Sequence, residues 1–147
     1  MELSDEIDGQ ITLLCQAADN HLGAGEVAVA IERYEEAFAL LPVPREQWEA
    51  ATSILAALAD AEFERQGFEA VRRLATRAMD CPGGLGNPFL HLRLGQAAFE
   101  LGDSDRAKDE LARAFMDGGD TVFEADDPKY RRFIRELLPP PEDEVGE

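Results

Sequence analysis

Apolar residues return along this chain at the three-to-four-residue interval of an amphipathic helix. Ile11, Leu14, Cys15, Ala18 and Leu22 form one stripe, which Gly23 and Gly25 break. Val27, Ala30, Ile31, Tyr34, Phe38 and Leu41 form the next, ended by Pro42 and Pro44. A third helix is expected from Pro44-Arg45-Glu46 to about Gln66, with Trp48, Ala51, Ile54, Leu55, Leu58, Ala59 and Phe63 on its core side. A fourth runs from about Phe68 to Met79. The stretch Cys81–Pro88, rich in glycine and proline, reads as a loop in which Asn87 caps a fifth helix and Pro88 occupies its first turn. That helix runs to Leu101. Gly102-Asp103 turns the chain into a sixth, which ends at Gly118-Gly119. Residues 120–126 read as an irregular connection. Asp127-Pro128 opens a last helix with Tyr130, Phe133, Ile134, Leu137 and Leu138 on one side. Residues 139–147, three prolines followed by an acidic run, are expected to be a disordered tail. No segment alternates apolar and polar residues with β-branched enrichment, so the expected fold class is all-α.

Helix pairs joined by glycine turns call for a repeat test. Ala30, Tyr34, Ala37 and Pro42 present small, bulky, small and proline residues at spacings of 4, 3 and 5, with Gly25 at the preceding turn. Leu94-Gly95, Gly102-Asp103, Ala107, Leu111 and Ala114 repeat the arrangement. Between them Ala59, Phe63, Gly67, Val71, Ala75 and Ala78 follow it loosely, with Val71 at a small position and Ala75 at a bulky one. The pattern resembles the tetratricopeptide repeat over about residues 4–119. Equivalent Ala37, Ala78 and Ala114 lie 41 and 36 residues apart, against the repeat's usual length of about 34. Loops at 42–46 and 81–88 absorb the excess. The resemblance implies a right-handed α-solenoid of three hairpins, at about 4–44, 45–82 and 87–119, within a single domain spanning 1–138. The helix at 127–138 would cap the exposed end.

In such arrays the first helix of each pair lines a concave face. The resemblance therefore places Thr12, Cys15, Asp19 and Leu22 on that face from the first unit. Ser53, Ala56, Asp60 and Phe63 come from the second, and Phe89, Leu92, Gln96 and Phe99 from the third. Some family members clamp a C-terminal carboxylate there with lysine, arginine and asparagine. Here Asp19, Asp60 and Gln96 occupy those positions, which disfavours an acidic tail as ligand and favours a basic or apolar segment. Phe63, Leu92 and Phe99 could equally pack between helices.

Charge sharpens this reading. The 147 residues carry 14 basic and 31 acidic side chains, a net −17. Such a surface repels phosphate backbones and anionic membranes, and attracts a basic protein. It also keeps a small protein in solution. Basic residues gather twice, at Arg72, Arg73 and Arg77 and at Lys129, Arg131, Arg132 and Arg135, where solvated faces that neutralise nearby acids are expected, with a docking patch as the alternative. Two cysteines, Cys15 and Cys81, give neither a disulfide framework nor metal spacing. The acidic N-terminus has no basic start followed by an apolar stretch, so a cytoplasmic protein is expected. His21 and His91 fall at packing positions of the repeat. No His-Glu-x-x-His pattern, phosphate loop or calcium loop occurs. The expectation is a non-enzymatic interaction module without cofactor or metal, a monomer or weak dimer. An immunity protein for a basic toxin heads the specific roles. Type III translocator chaperones are similar in size, acidity and repeat number. A self-associating scaffold is a third reading.

Overall fold

The protein is described by a computed structural model over residues 2–137. These residues form seven α-helices and two short 3₁₀ turns, with no strand among them. The helices are α1 (Asp5–Gly23), α2 (Val27–Ala39), α3 (Glu49–Glu64), α4 (Phe68–Met79), α5 (Pro88–Glu100), α6 (Ser104–Gly118) and α7 (Pro128–Leu137). Three antiparallel hairpins, α1–α2, α3–α4 and α5–α6, stack into a solenoid, and α7 packs on its end. Leu138 and the acidic tail at 139–147 lie outside the described residues.

Helix starts follow the local chemistry. The Ser4 hydroxyl accepts from the Ile7 amide at 3.2 Å, and Asp5, Glu6 and Asp8 sit in the first turn of α1, where the helix dipole favours negative charge. Asn87 accepts from the Phe89 amide at 2.9 Å with Pro88 at the first helical position, and Asp103 caps α6 through Arg106. The middle hairpin has no side-chain cap on either helix. Its start also differs from the sequence expectation. Arg45–Gln47 form a separate 3₁₀ turn, Trp48 is extended, and α3 begins only at Glu49. The Trp48 indole N–H donates to the Pro42 carbonyl at 2.8 Å, which holds the residue half-buried rather than in the core and delays the helix. At 120–123, expected to be irregular, a 3₁₀ turn buries Val122 and Phe123.

The repeat positions explain the spacing of the helices. Ala18 and Ala59, at matching positions of α1 and α3, are fully buried, as are Ala30, Val71 and Ala107 on the second helices, and Ala37, Ala78 and Ala114 two turns on. Gly95 takes the corresponding place in α5, where α6 comes closest. A Cβ there would lie 2.7 Å from Leu111 Cγ and 2.9 Å from the Leu111 amide nitrogen, so only a hydrogen fits. Gly25 and Gly102 turn the first and third hairpins at φ 82° and 84°. The equivalent residue of the middle hairpin is Gln66, at φ 63°. Gly67, aligned loosely with that turn in the sequence, instead precedes α4 as its N-cap, beneath the Glu62 carboxylate.

Two stability changes follow. Gly95→Val forces α5 and α6 apart and should lower unfolding free energy by about 2–3 kcal/mol in urea denaturation. Gln66→Gly removes the left-handed strain of a side-chain-bearing residue and should raise it by about 0.5–1 kcal/mol in the same measurement.

Candidate functional site

The predicted residues of the first two units lie on α1 and α3. Thr12 is exposed on α1, its hydroxyl donating to the Asp8 carbonyl at 2.9 Å. Cys15 and Leu22 are half-buried beside it. Exposed Asp19 accepts the hydroxyl proton of Tyr34, whose ring is buried in α2. Burial and the Asp19 carboxylate push the Tyr34 hydroxyl well above the usual tyrosine range, so it stays a donor. Burial and Asp19 also raise the Cys15 thiol, which keeps it protonated and poorly nucleophilic. On α3, Ser53 is exposed and the Asp60 side chain is 51% exposed. Neither α1 nor α3 contains a lysine or arginine.

The third unit is arranged differently. Leu92 and Gln96, both assigned to an open groove from the sequence, are buried by the chain itself. The segment after α6 runs beside α5, so that Val122, Phe123, Tyr130 and Ile134 close over Leu92. Phe99 is half-buried and meets the rings of Tyr130 and Phe133 edge-on, at 5.5 and 5.2 Å between centroids. Lys129 reaches back to the Glu100 carboxylate at 2.8 Å. Phe89 remains exposed at the start of α5. Two of the sequence-assigned residues are therefore inaccessible in this arrangement, because an amphipathic segment needs an apolar surface and the last hairpin supplies it.

Arg93 holds the closure together. Its Nε donates to Asp60 at 2.7 Å, and its Nη1 to the Gln96 side-chain oxygen at 2.9 Å and to both Asp126 oxygens at 3.2 Å. Its guanidinium lies 4.3 Å above the centre of the Phe63 ring. Gln96 returns a bond from Nε2 to Asp126 at 2.9 Å. Burial opposes the Arg93 charge, yet Asp60 and Asp126 more than offset it and hold its pKa above the ordinary value. One side chain thus ties α3, α5 and the 120–126 connection. The sequence pattern singles out neither Arg93 nor Asp126 among the many charges of this chain. The available signal was an arginine set between Leu92 and Leu94 in a helix that is otherwise nearly free of charge.

The histidines have packing partners. His21 Nδ1 lies 3.2 Å from Glu26. Buried His91 contacts the Leu85 carbonyl through Nε2 at 2.8 Å and Glu110 through Nδ1 at 3.3 Å, which ties the 81–87 loop to α6. Within that loop the Pro82 carbonyl accepts from Thr52 at 2.7 Å. Among the described residues no group of three or more His, Cys, Asp or Glu side chains is placed to hold a metal ion. No described helix is long and apolar enough to cross a membrane.

The network gives an asymmetric expectation. Arg93→Met should cost about 2–4 kcal/mol in denaturant unfolding, because it leaves the half-buried Asp126 carboxylate without its cation and the buried Gln96 side-chain oxygen without its donor. Asp60→Asn should cost under about 1 kcal/mol, since that carboxylate is half in water and Arg93 keeps Asp126.

Neither a family model nor a curated protein matches this sequence. Solved structures do match the fold. The crystal structure of MamA, a tetratricopeptide-repeat-containing protein, superposes at a TM-score of 0.63 and 14% identity, over 90% of this chain and 80% of MamA. At that identity the likeness concerns the fold, and the fold of this chain is an all-helical, tetratricopeptide-like solenoid.

Proposed function

We propose that this protein is a protein-interaction module whose α1–α3 face receives a basic segment of a partner. The observation that carries this reading is the charge of the two helices. Together α1 and α3 present Asp19 and Asp60 beside Thr12, Cys15 and Ser53, and contribute no lysine or arginine to oppose them. Both carboxylates lie near enough to Tyr34 to raise its hydroxyl, so their fields add over one patch. Half-exposed Asp60 has capacity left for a second cation beside Arg93. The closed third unit shortens the groove, which fits a short segment better than a long one. Within this class, an inhibitor that neutralises a basic toxin agrees with the net charge of −17, which would speed encounter with such a partner.

A random dodecapeptide display library panned against the protein tests the face. Selected peptides should carry lysine or arginine beside apolar residues. Synthetic copies should bind at least roughly tenfold more weakly to the Ser53→Arg/Asp60→Asn variant, and more weakly as salt rises. Both substituted positions reach solvent, and circular dichroism would verify the fold. Equal binding by the variant would refute this placement.

A further inference from the structure

The opposite face carries a different kind of site. Between α2 and α4, floored by α3, lies an open cleft of about 460 Å³. Its floor is apolar: Ile31, Leu55 and Leu58 form the base, with half-buried Phe38 and Leu74 on the walls. From Ile31 to Ala39 its α2 wall is about 12 Å long at the helical rise. Three arginines, Arg45, Arg73 and Arg77, stand around it with two acids, Glu35 and Glu62.

The pairing of these charges is uneven. Glu62 is occupied by Arg65, and Arg77 by Glu46 while its guanidinium lies 4.6 Å over the Phe38 ring. Arg73 has no carboxylate partner among the described residues, although it was expected to join a self-neutralised face. Arg45 reaches only the Ala39 carbonyl, at 3.4 Å, and its Nε is buried with no acceptor. A buried N–H without a partner is costly, and an anionic ligand would relieve it. Two arginines with spare donors against the single unpaired Glu35 leave a local positive balance, in a chain whose net charge is −17.

We infer that this cleft is a second docking site, for an acidic peptide segment of a protein partner that carries an apolar side chain. The apolar side chain would lie against Phe38 and Leu74, and its carboxylates against Arg45 and Arg73. The cleft is about half open to solvent, whereas small-molecule sites enclose most of their ligand. A wall of about 12 Å accommodates roughly four extended residues. The two faces thus select opposite charges: basic segments on α1–α3, acidic ones between α2 and α4.

The same dodecapeptide library, panned with excess Arg45→Ala/Arg73→Glu protein as soluble competitor, isolates ligands of this cleft. Neither arginine supports the core, and circular dichroism would check both variants. The expected pool is rich in Asp and Glu next to Leu, Ile or Phe. Its synthetic members should lose at least roughly tenfold in affinity on Arg73→Glu and on Arg45→Ala, and bind Ser53→Arg/Asp60→Asn unchanged. A pool without acidic enrichment, or acidic peptides that bind the arginine variants equally well, would overturn the proposal. So would sedimentation showing self-association abolished by Arg73→Glu, which would assign the cleft to a second copy of this chain. Loss of basic ligands on Ser53→Arg/Asp60→Asn concerns only the α1–α3 face, so the two readings fail separately.

Discussion

The close approach of neighbouring helices at residues with almost no side chain sets the geometry of everything else. Ala18, Ala59 and Gly95 recur on the first helices, and Ala37, Ala78 and Ala114 on the second. At Gly95 the tolerance is a single hydrogen atom, because Leu111 fills the space a Cβ would need. Leu111 and Tyr34 are the bulky residues of the same pattern, and both are buried. Packing at interior density leaves few alternatives once these contacts form. The middle hairpin departs from the pattern in three places: Val71 where alanine stands elsewhere, Ala75 where a bulky residue stands, and Gln66 at a positive-φ turn. It also lacks side-chain caps, so it depends most on its neighbours.

A solenoid built this way ends in an unsatisfied apolar surface, and the end of this one is closed by its own chain. The closure combines two kinds of interaction. Aromatic edges from Tyr130 and Phe133 cover Phe99, which removes apolar area from water. Arg93 adds direction, since a guanidinium with Asp60, Gln96 and Asp126 as acceptors admits one placement of the 120–126 connection. The closing segment packs over Leu92, and Leu92 and Gln96 are buried beneath this end of the solenoid.

The net charge of −17 conceals an unequal division between faces. The first two first-helices carry acids alone, whereas the arginines between residues 33 and 77 fall on α2, α4 and the connections beside them. At the closed end Arg93 is paired with Asp60 and Asp126, and Lys129 with Glu100. A solenoid exposes its first and second helices on opposite sides, so this division becomes two surfaces of different chemistry.

The helices, their order and the small positions between them were determined by the sequence alone, because each depends on residues within a turn or two. Ser4, Asn87 and Gly102 act on their own helix ends, and the apolar stripes need only the 3.6-residue period. The acidity of α1 and α3 was equally legible. What filled the third unit was decided by tertiary structure. Arg93 finds Asp60 and Asp126 at 33 residues to either side, separations that no local pattern encodes and that many other acids in this chain could have offered. The arginine cleft is of the same kind. Arg45 and Arg73 look like ordinary solvated charges until α2 and α4 are set apart over α3, and the spare donors become visible only when every neighbouring carboxylate has been placed.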